Sequence, residues 1–332
     1  MMPGEWEQHK ATWLAWPNDD DFFQGKMEKV KGVYLKIILA LHKDEIIKIL
    51  VLNQKIEDEV RNILRNSNVD VSKIVFYQTE YVDVWIRDYG PTFIKNAGNL
   101  KWIKWNYDGY GGKFPELFPD NEVFNNLKKE VSGEKIDIDI AMEGGAIDSS
   151  GQGVVLTTEE CLALNRNKDK SKIETEEILK NSLGAKRVIW LKKGIFNDHT
   201  DGHIDEVARF INPNKILLAY EENITDENYE RLKENLEILQ ESTDQNGNKF
   251  EIIKLPMPHM KYDDGKKAPV SYANFYIGNK TVLASTFNDK NDEKALEIIK
   301  SCFPDREVVG IDCTDLIYGG GALHCITQQE PK

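Results

Sequence analysis

The chain has 332 residues, of which 40% are apolar and 30% are charged, and its formal net charge is −13. This composition is that of an ordinary globular protein, and the length permits one large domain or two. The negative charge argues against a nucleic-acid or membrane-surface partner, because both require a basic face. No apolar run approaches the ~18 residues of a membrane span.

Four cysteines are present without a CxxC pair, and residues 1–17 lack the basic and apolar regions of a secretory leader. Free thiols in a reducing cytoplasm are therefore expected. Cys302 falls on an apolar helical stripe and is interpreted as a small core residue. Cys325 instead follows three glycines that let the backbone approach a ligand closely, and this favours a reactive thiol.

Helical periodicity recurs five times, and each predicted helix is followed by a short β-branched run. Two further runs precede each helix, with turn residues between them that are typical of hairpins. A less regular sixth helix is predicted around residues 56–64. The five helices span 30–41, 123–131, 178–183, 229–239 (with Thr225 as N-cap) and 295–302; the strands after them span 46–52, 136–140, 187–191, 250–255 and 307–311; the hairpin strands include 91–95 with 100–105, 207–211 with 216–220, and 272–277 with 281–285.

The repeating unit is thus strand, strand, helix, strand, with a period of about 60 residues that predicts a radial or stacked array. The first unit closes only when a C-terminal strand at residues 323–328 pairs with a strand at residues 11–16. No Ser/Gly/Pro-rich linker divides the chain. Residues 1–332 are therefore predicted to form one closed α/β domain with five internal repeats.

Polar or reactive side chains stand at the entrance to the first strand of every unit. Because these positions are equivalent, a pseudo-symmetric ring would bring them together on its axis. Side chains alternate along an extended strand, so His203 and Asp205 should share a face, whereas His324 should point away from Cys325. The entrance residues are Asp88, Glu143, His203 with Asp205, Asn274 within Ser271–Asn274, and Cys325.

Three of these residues, Asp88, Glu143 and Asp205, are carboxylates that would repel one another unless a cation lies between them. A planar guanidinium suits that position, because carboxylates bind its N–H groups in bidentate fashion. Its carbon would then lie within reach of Cys325, and an imidazolium of His203 would favour the thiolate. A small cationic guanidine is the predicted partner.

Four motifs in this order resemble those of the agmatine deiminase and bacterial peptidylarginine deiminase-like family of guanidino-group-modifying enzymes. Residues 3–6 and 12–17 resemble its N-terminal signature, so the resemblance covers the whole chain. It implies a five-bladed α/β propeller, the pentein fold. The motifs are Trp85-Ile86-Arg87-Asp88-Tyr89-Gly90-Pro91, Glu143-Gly144-Gly145, Thr200-Asp201-Gly202-His203-Ile204-Asp205, and the run from Gly319 to Gln329.

The resemblance implies an amidinohydrolase that converts agmatine to N-carbamoylputrescine and ammonia with no metal or organic cofactor. Cys325 would attack the guanidino carbon. His203 would protonate the departing ammonia and then activate the water that hydrolyses the amidino-thioether. By the same resemblance, Asp88 and Asp205 would hold the guanidinium nitrogens, Glu143 would support this clamp or orient His203, and Trp85 would form a wall of the pocket.

One position departs from the family pattern. Family members commonly carry an acidic residue four positions before the catalytic histidine, where this chain has His199. An acid there could help to bind the distal amine of agmatine, so the tail of the substrate stays open. The chain ends at Lys332 without the long extension of secreted peptidylarginine deiminases, and a free small guanidine is therefore expected rather than a protein.

Other interpretations stay open. Residues 199–205 could bind a metal in a metal-dependent hydrolase, although Gly202 and the run after it favour a strand over the helix that would pair the two histidines. The chain could be an inactive guanidine-binding protein of the same fold. Glu143 could be a turn acid and Trp85 a core aromatic. Residues 257–268 read as a loop that could cover the pocket, and the sequence leaves a homo-oligomer open.

Overall fold

The computed structural model describes residues 1–332 as five small sheets with helices packed beside them. The strands are β1 (His9–Ala15), β2 (Ile46–Val51), β3 (Ile74–Gln78), β4 (Thr92–Asn96), β5 (Asn99–Asn106), β6 (Glu134–Ala141), β7 (Asp148–Ser149), β8 (Val154–Thr158), β9 (Arg187–Leu191), β10 (Ala208–Asn212), β11 (Lys215–Tyr220), β12 (Glu251–Pro256), β13 (Tyr276–Ile277), β14 (Thr281–Thr286), β15 (Glu307–Asp312) and β16 (Gln328–Pro331). The helices are α1 (Met27–Leu41), α2 (Gln54–Asn66), α3 (Ile86–Tyr89), α4 (Gly109–Gly112), α5 (Val123–Asn126), α6 (Lys172–Leu183), α7 (Glu227–Glu241) and α8 (Asp292–Cys302).

Four of the sheets share one topology. In each of them two antiparallel strands are followed by a third strand that runs parallel to the second, in the orders β4-β5-β6, β7-β8-β9, β10-β11-β12 and β13-β14-β15. The fifth sheet has the order β16-β1-β2-β3, in which β16 is antiparallel to β1 and the other pairs are parallel. The predicted α/β class is confirmed, and the five sheets correspond to the five predicted units.

The helices bury the apolar stripes that predicted them. Val30, Val33, Tyr34 and Ile37 of α1 are all buried, and burial stabilises each such side chain by about 1.5–3 kcal/mol. The N-cap of α7 is Asp226, whose side chain accepts a hydrogen bond from the backbone N–H of residue 228. The prediction of Thr225 as N-cap is therefore wrong by one residue.

The helix predicted at residues 123–131 is much shorter than expected. Helix α5 ends at residue 126, after a 3₁₀ segment at Pro115–Glu122. Val123, Phe124, Leu127 and Val131 nevertheless all belong to one buried cluster. The apolar spacing thus predicted burial correctly but not the helix, because successive turns can bury the same side chains.

The C-terminal strand differs from its prediction in a way that matters for the site. Strand β16 begins only at Gln328, which pairs with Trp13. The residues before it form a turn, in which the Thr327 hydroxyl donates to the carbonyl oxygen of Leu323 at 2.9 Å. His324 and Cys325 lie in this turn. The strand predicted at residues 323–328 is therefore wrong over most of its length.

The entrances of two further units are turns. The strand predicted at residues 207–211 is present as β10, but Ile204–Glu206 before it forms a 3₁₀ turn. Strand β13 contains only Tyr276 and Ile277 of the predicted run 272–277. The alternation rule for strands therefore does not apply to His203 and Asp205. Their directions are decided by the turn instead.

The largest apolar cluster joins the first sheet to the last. It contains side chains of α1, β2, β14 and α8, and it also includes Trp85 and Cys325. The pairing of β16 with β1 joins the two ends of the chain in the same region. None of the helices combines the length and the apolar character required to cross a bilayer.

Residues 257–268 lie outside the named helices and strands, as predicted for a loop. An isolated bridge joins Lys261 to Lys267. The ring of Tyr262 packs edge-on against Tyr318 at 5.2 Å between centroids, and its hydroxyl donates to the carbonyl oxygen of Ile317 at 3.3 Å. The loop thus contacts the segment that leads to the three glycines, and its role as a lid stays a prediction.

Candidate active site

Three side chains from two units meet against Gly145 of a third unit, where there is no room for a Cβ atom. A Cβ atom built on this glycine would lie 2.6 Å from Nδ1 of His203, 2.8 Å from Oδ1 of Asp88 and 3.1 Å from Oδ2 of Asp205. All three side chains are buried. Only glycine leaves this space free, which explains why the backbone can approach the acids so closely.

Asp88, at the C-terminal part of α3, is held by two neutral donors. Its Oδ1 accepts from the backbone N–H of Gly145 at 3.0 Å, and its Oδ2 accepts from the hydroxyl of Tyr110 at 2.8 Å. Burial above all, together with the negative charges of Asp205 and Glu143, raises the pKa of Asp88 to about 6 against the opposing effect of His203. These surroundings disfavour the charge of this carboxylate.

Glu143 links His203 to a buried arginine. Its Oε2 lies 3.2 Å from Nε2 of His203, and its Oε1 accepts from Nε of Arg166 at 2.6 Å. Although burial opposes ionisation, Arg166 and His203 hold the pKa of Glu143 at about 2. Glu143 makes no cap within its own turn. The interpretation as a simple turn acid is therefore wrong.

The same contacts keep the imidazole of His203 charged. Burial alone would lower its pKa, but the charge of Asp88 and the hydrogen bonds with Cys161 and Glu143 raise the pKa well above its usual value. Nδ1 lies 3.7 Å from Oδ1 of Asp88. His203 is thus an imidazolium that holds a proton inside the site.

Arg166 was not predicted from the sequence. It ends the π-helical segment Glu159–Arg166 and uses all three arms of its guanidinium, since Nη1 contacts Asp201 at 2.7 Å and Nη2 donates to the carbonyl oxygen of Thr200 at 2.8 Å. No motif surrounds this arginine. Tyr110 was also missed, although its position between glycines in a left-handed conformation (φ 62°) is a signal for a special backbone site.

The thiol of Cys325 is nearly covered, with 8% of the residue exposed. The side-chain amide of Asn274 donates to its Sγ at 3.2 Å, and Oδ2 of Asp205 lies 3.9 Å from the sulfur. Burial, followed by the charges of Asp205 and Glu206, raises the pKa of the thiol well above its usual value. These surroundings favour the neutral thiol over the thiolate.

No hydrogen bond joins the sulfur of Cys325 to His203, and the effect of this imidazolium on the thiol stays a prediction. One expectation about the neighbouring residue needs correction. His324 does not point away from the site: its Nδ1 lies 2.6 Å from Oδ2 of Asp205, the same oxygen that lies nearest the sulfur. In a turn, unlike a strand, consecutive side chains can reach one atom.

Trp85 and His199 lie along the glycine run that precedes the thiol. A Cβ atom on Gly321 would lie 2.8 Å from the ring of Trp85 and 3.1 Å from Sγ of Cys325, and one on Gly320 would collide with the ring of His199. Trp85 is therefore both a core aromatic and a direct neighbour of the thiol. His199 packs edge-on against Phe114, at 6.1 Å between ring centroids.

His203 and Asp205, on which the metal alternative rests, belong to two different groups of possible ligands. The possible ligands nearest His203 are Glu143 and Cys161, whereas those nearest Asp205 are Glu206 and Cys325. Residues 199–205 therefore do not turn their side chains to one point, as a metal centre requires.

With this geometry described, the chain can be compared with known proteins. The sequence model of the family described as Porphyromonas-type peptidyl-arginine deiminase matches residues 1–331. The chain belongs to this family. It is 36% identical over 335 residues to a Legionella pneumophila (strain Philadelphia 1) protein named "Putative agmatine deiminase", with 100% of this chain and 94% of the relative covered.

Solved structures agree. The agmatine deiminase of Enterococcus faecalis matches with a TM-score of 0.90 and 31% identity, covering 100% of this chain and 95% of that one. A cysteine-to-serine variant of the C. jejuni agmatine deiminase with substrate bound matches with a TM-score of 0.88 and 30% identity, covering 99% and 95%. These neighbours confirm the predicted fold class and the resemblance to the family.

Proposed function

We propose that this protein is a guanidine deiminase that hydrolyses agmatine to N-carbamoylputrescine and ammonia. The observation that carries the proposal is that an imidazolium and two clamp carboxylates meet around Gly145, with the thiol of Cys325 3.9 Å from one of these carboxylates. Membership of the family and the likeness to agmatine deiminases support the same reaction.

The guanidinium binds beside the free carboxylate oxygen of Asp205. Oδ1 of Asp205 is buried and has no hydrogen-bond partner, and an unsatisfied buried acceptor of this kind is strongly disfavoured unless a ligand provides a donor. Asp88 supplies the second acceptor. The positive charge of the substrate lowers the pKa of Asp88 and so opposes the effect of burial. Both carboxylates are therefore ionised in the complex.

The covalent steps follow from the positions of sulfur and imidazolium. The cation beside Cys325 lowers the pKa of the thiol, whose proton passes to solvent, and the thiolate attacks the guanidino carbon to form a C–S bond. His203 gives its proton to the leaving nitrogen, the C–N bond breaks, and ammonia departs. Neutral His203 then takes a proton from water, which attacks the amidino carbon and releases the thiol and the ureido product.

This role explains why Cys325 and His203 do not touch. A nucleophile and a proton donor that act on one planar group must stand apart, with that group between them. Glu143 and Arg166 keep His203 protonated before the attack. We assign Cys325 and His203 to the chemistry, Asp88 and Asp205 to the clamp, Glu143 to the orientation of His203, and Trp85 to the pocket wall.

A small free guanidine fits the site better than a peptide. Asp88, His203, Asp205 and Cys325 are all buried, so only a slender chain reaches them past the ring of His199. The pairing of β16 with β1 supports residues 1–332 as one working domain. The four free cysteines support a reducing cytoplasm as its location.

Ammonia release from agmatine, arginine and a peptidyl-arginine tests the proposal. We expect turnover of agmatine that iodoacetamide abolishes and overnight EDTA does not. Cys325→Ser should abolish release while Cys302→Ser, at a half-buried thiol far from the site motifs, keeps it. Silence with every guanidine would favour an inactive binding protein, and loss with EDTA would favour a metal-dependent hydrolase. Turnover of the peptide alone would move the substrate to proteins.

A further inference from the structure

His324, the residue before the thiol, is buried with a carboxylate at each ring nitrogen. Nδ1 lies 2.6 Å from Oδ2 of Asp205, and Nε2 lies 2.9 Å from Oε2 of Glu5. An ionised carboxylate only accepts hydrogen bonds, and a neutral imidazole donates from one nitrogen only. Both contacts are satisfied with ionised carboxylates only when His324 carries both protons. The geometry thus requires an imidazolium between the two acids.

The far side of this imidazolium is held firmly. Oε2 of Glu5 also accepts from Nη2 of Arg209 at 2.8 Å, and Oε1 accepts from the backbone N–H of Ile277 at 2.8 Å. The backbone N–H of His324 donates to Oδ1 of Asn274 at 2.9 Å. With ring and backbone both bonded, the imidazole has one orientation. Its anchor, Glu5, comes from the N-terminal segment before β1, far away in sequence.

The near side of the imidazolium faces the substrate clamp. Asp205 uses Oδ2 for His324 and keeps Oδ1 buried without a partner. Burial opposes the charge of Asp205, but the hydrogen bond and the charge of His324 lower its pKa. Asp88 has only neutral donors at its two oxygens, and burial raises its pKa. The two clamp carboxylates therefore differ because only Asp205 is hydrogen-bonded to a cation, whereas the imidazolium of His203 lies 3.7 Å from Asp88.

We propose that His324 is a positioning residue that keeps Asp205 ionised and turns its free oxygen toward the guanidinium, with Glu5 anchoring His324 from behind. This inference rests on the proposed function. It assigns substrate affinity to a residue that touches neither the guanidinium nor the sulfur. It also makes the N-terminal segment part of the binding site, through one carboxylate.

Two amide variants separate this role from a packing role. Asparagine and glutamine at residue 324 both remove the charge. His324→Asn keeps a donor near the Nδ1 position, toward Asp205, and His324→Gln moves the donor outward, toward Glu5. Titration calorimetry of each in a Cys325→Ser background gives the Kd of agmatine without turnover, and kcat and KM are measured in the parent background.

We expect both variants to weaken agmatine binding, His324→Gln by about 100-fold and His324→Asn by about tenfold, because only asparagine still bonds Asp205. Glu5→Gln should weaken binding by about tenfold, since it releases the anchor. In the active background the loss should appear mainly in KM. Urea unfolding of each variant measures its stability. A packing role alone would lower this stability and leave the Kd of agmatine unchanged.

Equal Kd values for Cys325→Ser and for both of its residue-324 variants, with only the stability changed, would overturn the inference. A larger loss of affinity for asparagine than for glutamine would also overturn it. A loss confined to kcat would assign His324 to the chemistry of the thiol and reject the role in binding. A Cys325→Ser protein that binds no agmatine, together with a parent that releases no ammonia, would refute the proposed function itself and this inference with it.

Discussion

Replacement of Arg166 by methionine should unfold the protein more readily and silence it. The arginine and Glu143 are fully buried and bonded at 2.6 Å, and the other two arms of the guanidinium contact Asp201 and the carbonyl oxygen of Thr200. Methionine keeps much of the volume but leaves the buried carboxylate of Glu143 with His203 as its remaining cationic contact. The variant therefore isolates the charge of the pair from its packing.

Two estimates give the scale of the cost. Removal of one partner from a buried ion pair costs about 3–5 kcal/mol. Against burial, Arg166 and His203 together lower the pKa of Glu143 from its ordinary 4.5 to about 2, and at about 1.36 kcal/mol per unit this net shift corresponds to about 3 kcal/mol, to which Arg166 is the larger contributor. Because the folded pKa is lowered, this stabilisation is present above pH 4.5 and is lost as the pH falls toward 2. A typical domain has only about 5–15 kcal/mol in total.

Urea unfolding followed by circular dichroism at pH 7.5 measures the free energy of unfolding for Arg166→Met, Glu143→Gln and the double variant. We expect the double variant to be more stable than the sum of the single losses by about 1–3 kcal/mol, because the second change removes the unpaired charge. Arg61→Met, which breaks a partly exposed pair with Glu57, is the control and should cost less than about 1 kcal/mol.

The double variant should stay inactive although part of its stability returns. Without an ionised Glu143 the proton on His203 is no longer held, and loss of a general acid lowers kcat by about 10²-fold or more. Additive losses within about 0.5 kcal/mol, or full ammonia release by Arg166→Met, would refute the coupling described here.

The remaining predictions concern the clamp and the pocket mouth. Asp88→Asn should raise the free energy of unfolding at pH 8 by about 1–3 kcal/mol. Burial raises the pKa of this carboxyl from 3.8 to about 6, so its ionised form destabilises the folded protein above pH 6. The gain should vanish below pH 3.8, and urea unfolding at pH 8 and below pH 3.8 checks the sign. The same variant should lose ammonia release, and a fall in stability at pH 8 would contradict the account. Asp205→Asn should lower kcat/KM by about 10³-fold in initial-rate assays, because the charged clamp is removed; an effect on stability alone would make the residue structural. His199→Asp should lower the KM for agmatine at least about threefold relative to an alkylguanidine without the distal amine, since a carboxylate then faces that amine; an equal change for both substrates would argue against a tail contact.

The elements that the sequence predicted well are those decided by local contacts. The buried face of α1 and the strands on either side of it follow from the spacing of apolar residues along the chain, because that spacing decides which side chains are buried. Five of the six predicted site residues lie around Gly145 and Gly321, and Glu143 joins them through its contact with His203. For all of them except Trp85, which was predicted from the family resemblance, the common phase in the repeat was enough to group them, although it did not decide their contacts.

The contacts were missed where the chain turns. The entrances at Ile204–Glu206 and before β16 are turns, so the alternation of strands gave a wrong direction for His324. Arg166 and Tyr110 lie outside the predicted set of site residues and are joined to it only through space, by hydrogen bonds to Glu143 and Asp88. Nothing in the local sequence of either residue states which partner it meets.

The amino-acid sequence by itself determined the α/β class, the five repeating units and the set of reactive side chains, because periodicity and turn chemistry act between neighbours in the chain. Only the tertiary structure decided the charge states: which acid is paired with a cation, which has neutral donors only, and where a buried oxygen is left free. Those states depend on burial and on distances between residues up to 319 positions apart, such as Glu5 and His324. A one-dimensional pattern does not contain such distances.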